Sequence, residues 1–112
     1  MNSKQLTDII YKAAREKKNE EKIKFITNAA IGYLEAALTI AKKQENPSKQ
    51  LQQEMSSHAS TIQILEKLQN KYLKLMKQNP HKKNMYVKEY YGRASSVLKK
   101  LKFTETEELI KK

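Results

Sequence analysis

Groups capable of chemistry are sparse in this chain of 112 residues. It has two histidines, His58 and His81, and no cysteine, which excludes disulfides and thiolate metal sites. Neither histidine has paired carboxylates at a spacing that would complete a metal site. His58 follows Ser56 and Ser57, and a serine beside a histidine is raw material for nucleophilic catalysis. Adjacent helical residues do not face one another, however, and the sequence places no acid to orient the ring. A partly buried histidine, hydrogen-bonded at a polar point of a helix seam, is the reading that remains. Two glycines cannot form a phosphate-cradling loop, and neither G-x-x-x-x-G-K-[ST] nor G-x-G-x-x-G occurs. No catalytic, cofactor or metal-binding residue is assigned, and an enzyme is not expected.

The chemistry on offer is electrostatic. Between Lys67 and Lys102 lie eleven Lys and Arg against one acid, Glu89, which accounts for +10 of the formal net charge of +11. A local field of this sign attracts phosphate, anionic lipid or an acidic partner helix. The candidate contacts are Lys67, Lys71, Lys74, Lys77, Lys88, Arg93, Lys99 and Lys100, with Tyr86 outward and available for stacking. Tyr72, Tyr90 and Tyr91 fall on apolar faces and are expected in the core. Only two arginines occur in the chain, so nucleic-acid binding, if present, is expected to be backbone-directed, sequence-nonspecific and salt-sensitive. The plain alternative is a solvated lysine-rich surface.

These groups must be positioned by helices. Hydrophobic residues make up 38% of a chain rich in Gln, Asn, Lys, Glu and Ala, a helix-forming set. The first helix is expected from a Ser3 cap to about residue 17, with Leu6, Ile9, Ile10, Ala13 and Ala14 as one stripe. The second, about 20–44, carries apolar residues over roughly 240° of its circumference and is expected to be central. Its Ala29, Gly32 and Ala36 offer a close approach to a neighbour. Asn46-Pro47 reads as cap and first position of a third helix, about 47–78, some 45–50 Å long. Its seam, Leu51, Met55, His58, Ile62, Leu65, Gln69, Tyr72 and Met76, alternates steps of four and three.

A fourth helix, about 84–102, would cover the far half of the third and leave two basic faces outward. Thr104 and Glu107 fit a capping box for a short fifth helix, about 105–110. Asn46-Pro47 and Asn79-Pro80 lie 33 residues apart, an echo compatible with a repeated loop–helix unit. The N-terminus leads into an amphipathic pattern rather than a secretory signal, and the apolar region 29–41 is too short to span a bilayer. An intracellular protein is the natural expectation, with cytoplasm or nucleus unresolved.

Two segments carry family resemblances. Glu89-Tyr90-Tyr91-Gly92-Arg93-Ala94 with Leu98-Lys99-Lys100-Leu101 resembles the last helix of microtubule-interacting and trafficking (MIT) domains. The run 30–38, Ala-Ile-Gly-Tyr-Leu-Glu-Ala-Ala-Leu, is similar to the middle helix of those modules. The resemblance implies a groove for short helical tails of membrane-remodelling subunits, but a long extra helix separates the two matches. The run 30–39, then Thr61-Ile62-Gln63-Ile64-Leu65, then Arg93-Ala94-Ser95-Ser96-Val97-Leu98 resembles the C-terminal homology domain of super elongation complex scaffold proteins. That resemblance implies a dimerising all-helical domain linked to nucleic acid, although the family domain is much longer.

The expectation is a single all-α domain over 1–112, a four-helix antiparallel bundle with a long third helix and a short C-terminal fifth. Its expected role is a non-enzymatic interaction module. The partner would be a protein, such as an acidic amphipathic helix, or a second copy through the seam of the third helix. Electrostatic binding of nucleic acid is the alternative.

Overall fold

Among the described residues, helix-forming runs punctuated by Asn, Pro and Ser fold into five α-helices: α1 Ser3–Ala13, α2 Asn19–Lys42, α3 Lys49–Gln78, α4 Lys83–Lys99 and α5 Thr104–Ile110. The computed structural model describes residues 2–111, and the class is all-α with no strand among them. Met1 and Lys112, included in the expected domain, lie outside the described residues.

Several helix ends differ from expectation because the caps are other residues. Asn2, not Ser3, caps α1: its side chain accepts the Gln5 N–H at 2.8 Å while Gln5 Oε1 accepts the Asn2 N–H at 2.9 Å. Ser3 instead donates its hydroxyl to the Lys99 carbonyl at 3.1 Å, tying the start of α1 to the end of α4. The helix stops at Ala13 rather than near residue 17, and Asn19 then opens α2 with a positive φ of 51°. Ser48 caps α3 by accepting the Leu51 N–H at 3.0 Å, so Pro47 stands outside the helix. Pro80, by contrast, opens a 3-10 turn, Pro80–Lys82. The two Asn-Pro pairs therefore do not build the same local structure.

α2 packs against all four other helices. Its Ile23, Ile26, Ala30, Leu34, Ala37 and Ala41 are buried along one stripe. Gly32 and Ala36 face outward, and nothing approaches Gly32, so the expected close packing there does not occur. By length and a mean hydropathy of 1.2, α2 meets the composition of a bilayer-spanning helix, a longer apolar element than the region 29–41 singled out in the sequence. Here its apolar stripe is spent on the bundle interior.

Cross-contacts set the helix directions. Tyr11 donates its hydroxyl to the Tyr91 carbonyl at 2.6 Å, and with the Ser3–Lys99 bond this makes α1 antiparallel to α4. Lys83 meets Glu20 at 2.9 Å, and the Thr27 and Tyr90 hydroxyls bond one turn-pair further on, so α2 and α4 run parallel. α3 returns antiparallel, with the Tyr72 ring 6.2 Å from both Tyr86 and Tyr90. α1 rests on α2 and α4, and α5 rests on α2 and α3. The result is an elongated body, 51 × 22 × 18 Å. Four helices lie together at one end, and α2, α3 and α5 at the other.

The α3 seam shifts from its expected register. Leu51, His58, Leu65 and Tyr72 are buried as anticipated, but Glu54 and Thr61 take the intervening places while Met55 and Ile62 are only half-buried. In α1, Ile9 is 57% exposed and leaves the expected stripe.

Candidate functional site

The expected cations are all on the surface: Lys67, Lys71, Lys74, Lys77, Lys88, Arg93, Lys99 and Lys100 are exposed. They do not form one site. Lys67, Lys71, Lys74 and Lys77 follow one side of α3 at steps of four and three. On α4, Lys88 and Lys99 share a second face, and Arg93 and Lys100 a third. Some of this charge is engaged locally. Lys71 Nζ lies 5.4 Å from the centroid of the Tyr72 ring, whose phenol is raised above its ordinary range by burial, with Arg93 and Glu89 acting on it in opposite senses.

Two aromatic assignments are reversed. Tyr86 is buried at 8% exposure, packed near Tyr72, and is not available for stacking. It lies one turn before Tyr90, and α3 covers α4 on that side, which rotates the buried face toward Tyr86. Tyr91, expected in the core, is 38% exposed with its ring 3.8 Å from that of Tyr11.

Tyr91 floors the feature that sequence reasoning missed. A cleft of about 760 Å³ opens where the α1–α2 turn meets α4, lined by Lys17, Lys18, Asn19, Lys22, Asn84, Val87, Lys88 and Tyr91. Four ammonium groups line it and no carboxylate does. A second cleft of about 360 Å³ shares Lys22 and Tyr91 and adds Lys12 and Arg15, with Asp8 as its acid. Of the expected contacts only Lys88 takes part. The signal in the sequence is Lys17-Lys18-Asn19, at the expected end of the first helix. The Tyr11 hydroxyl, donating to the Tyr91 carbonyl at 2.6 Å, ties this floor to α1, and burial, with Tyr90 and Tyr91 nearby, pushes the Tyr11 phenol above its ordinary range. Below it, burial raises Tyr90 to about 12 against the opposing bond from Thr27.

The opposite end holds a cluster of buried polar side chains around a histidine. Glu54 Oε1 accepts the Thr106 N–H at 3.0 Å and the Thr106 hydroxyl at 2.9 Å. Glu54 Oε2 accepts the Glu105 N–H at 3.1 Å and the Gln50 amide at 2.9 Å. A carboxylate from α3 therefore caps α5, in place of the expected Thr104–Glu107 box; Phe103 occupies the cap position and Thr104 is exposed. Burial opposes ionisation of Glu54, but its four donors together hold the carboxyl below its ordinary range.

His58, fully buried, has Nε2 3.2 Å from Thr106 Oγ1. That hydroxyl gives its proton to Glu54, so His58 must donate from Nε2, and the bare Nδ1 is buried without a partner. Burial lowers the His58 pKa, and Glu54 only partly opposes this. Glu54 is thus the acid near the ring that the sequence did not reveal. The polarity is wrong for nucleophile activation, because Thr106 donates to the carboxylate rather than to the imidazole, and Thr106 is fully buried. Among the described residues no cluster of His, Asp and Glu is arranged to hold a metal ion.

No family model matches the chain, and comparison with curated proteins and with solved structures likewise finds no match.

Proposed function

We propose that this chain is a non-enzymatic interaction module that docks an acidic segment of a partner protein in the cleft between the α1–α2 turn and α4. The observation that carries this reading is the lining itself: four lysines, no carboxylate, and an aromatic floor at Tyr91 backed by Tyr11. Such a concave site concentrates positive potential, and Val87 with Tyr91 offers apolar surface to a side chain between the acids. The seam of α3 is engaged within the molecule, which argues against that surface as the docking face.

Lys67, Lys71 and Lys74 favour a second reading, backbone-directed binding of nucleic acid along α3, because they are exposed at helical spacing and Glu66 is the one acid next to them in sequence.

Fluorescence anisotropy with a labelled acidic peptide and with a single-stranded RNA, at low and high salt, separates the two. Lys22→Glu with Lys88→Glu should weaken the peptide about tenfold or more, equivalent to roughly 1.4 kcal/mol, while Lys67→Glu with Lys71→Glu does little. The nucleic-acid reading predicts the reverse ranking and a steep salt dependence. Equal insensitivity of both probes to both pairs rejects the cationic surface as a binding site.

A further inference from the structure

The two clefts beside Tyr91 are continuous with one another. They share Tyr91 and the half-buried Lys22, and the Tyr91 ring is paired with that of Tyr11 at 3.8 Å. Their charge is unequal. The larger holds Lys17, Lys18, Lys22 and Lys88 with no carboxylate in its lining, and Asn19 and Asn84 add amides able to donate. The smaller adds Lys12 and Arg15 but sets Asp8 against them. Glu20, next to Asn19 in sequence, is turned to Lys83 at 2.9 Å and takes no part in the larger lining. Lys17 is steadied on the protein itself, with Nζ 5.7 Å from the centroid of the Phe25 ring.

We infer that the acidic segment docked here carries a phosphorylated serine or threonine, its phosphate in the larger cleft and its carboxylates in the smaller, with Tyr91 under the residue between. The inference rests on the docking reading above and names the ligand chemistry of that same site. Four ammonium groups around one cavity exceed what a single carboxylate neutralises. A phosphate monoester brings about −1.5 to −2 charges and three acceptor oxygens. Lysine meets it as a point charge, and the cleft is lined by lysine rather than arginine. At about 760 Å³ the cavity also lies within the range of small-ligand sites, about 300–1,000 Å³, so one carboxylate would leave most of it unfilled. Asp8 selects a peptide over a lipid headgroup as the source of the phosphate. Its carboxylate accepts an N–H, which a peptide backbone supplies, and repels a uniformly anionic surface.

The test is fluorescence anisotropy on the full chain. The probe is a labelled ten-residue peptide with one phosphoserine, an aromatic residue after it and two glutamates beyond. One control peptide carries Glu for phosphoserine, and another carries Gln for both glutamates. Wild type should bind the phosphoserine peptide about tenfold more tightly than its Glu version. Lys18→Gln with Lys88→Gln should erase that preference. Lys12→Gln with Arg15→Gln should preserve it while erasing the advantage of the glutamates over glutamines, about threefold on wild type. All four positions are exposed, so the variants should keep the fold. Undirected attraction to a basic protein makes the two pairs interchangeable, and gives Lys67→Gln with Lys71→Gln the same effect; either result overturns the inference. Equal binding of the phosphoserine and Glu peptides overturns it and leaves acidic-segment docking standing, whereas no binding by any peptide removes both. Co-sedimentation with phosphatidylcholine vesicles containing a phosphatidylinositol phosphate is the last arm. Sedimentation of wild type that Lys18→Gln with Lys88→Gln abolishes would assign the cleft to a membrane and overturn the inference; none is expected.

Discussion

The two ends of the molecule use polar side chains in opposite ways. Around Glu54, His58 and Thr106, polar groups are buried, and nearly every donor and acceptor is matched. Around Tyr91, six cations from α1, the following turn, α2 and α4 surround open clefts and are scarcely paired with acids. Low dielectric makes each unsatisfied group costly at the first end, so its polar residues act on stability. Water screens the second end, so its charges add little to the fold and remain available to a partner. Sequence charge alone does not distinguish these roles; depth does.

Substitutions that exchange the roles test this contrast. The largest effect is expected from Glu54→Ala, which strands the buried amides of Glu105 and Thr106 and the hydroxyl that donates to it. A loss of about 2–4 kcal/mol in denaturant unfolding follows. A change under about 0.5 kcal/mol there would break the comparison. Thr106→Val keeps the volume but removes one bond to Glu54 and the partner of His58 Nε2, for a smaller loss of about 1–2 kcal/mol.

Acidification should act on the same end. His58 titrates below its ordinary 6.5 in the folded chain, so the unfolded chain takes up that proton first as pH falls. The stability is complete above about pH 7 and declines as pH drops through 6.5 toward the folded value. Protonated His58 would also carry an Nδ1–H with no acceptor. Glu54, depressed below 4.5, stabilises the fold above that value and loses its contribution as pH falls through the folded pKa. Thermal melts of wild type and His58→Gln between pH 7 and 5 should show a slope in the first that flattens in the second; parallel curves would assign the slope elsewhere. The smallest effect on stability belongs to Lys22→Glu with Lys88→Glu, whose melting midpoint should stay near wild type while peptide binding falls. A large shift in midpoint would mean that these charges are structural after all.

Much of the fold was legible because helix periodicity is a local property. The stripes through Leu6, Ile10 and Ala14, through Ile26, Ala30 and Leu34, and through Leu51, His58, Leu65 and Tyr72 are buried as their spacing implies. What misled was polarity taken residue by residue. Met55 and Ile62 looked like better seam residues than Glu54 and Thr61, yet α5 arrives with donors that make Glu54 the one to bury. Tyr86 looked outward and Tyr91 inward until α3 fixed which side of α4 is covered. The cleft was the least legible feature. Lys17, Lys18 and Lys22 lie in the near-neutral part of the chain, and nothing local pairs them with Lys88.

The sequence by itself determined that the chain is helical, roughly where each helix lies, and that Lys67 to Lys102 is strongly positive. All three follow from interactions within a few residues: backbone propensity, stripe spacing and counted charge. Tertiary structure decided the rest. Glu54 caps a helix 51 residues away, and Lys22 becomes a neighbour of Lys88 only when α1, α2 and α4 pack. Long-range capping and shared clefts depend on which faces meet, and burial of apolar area, which carries no register of its own, leaves that choice to the whole assembly.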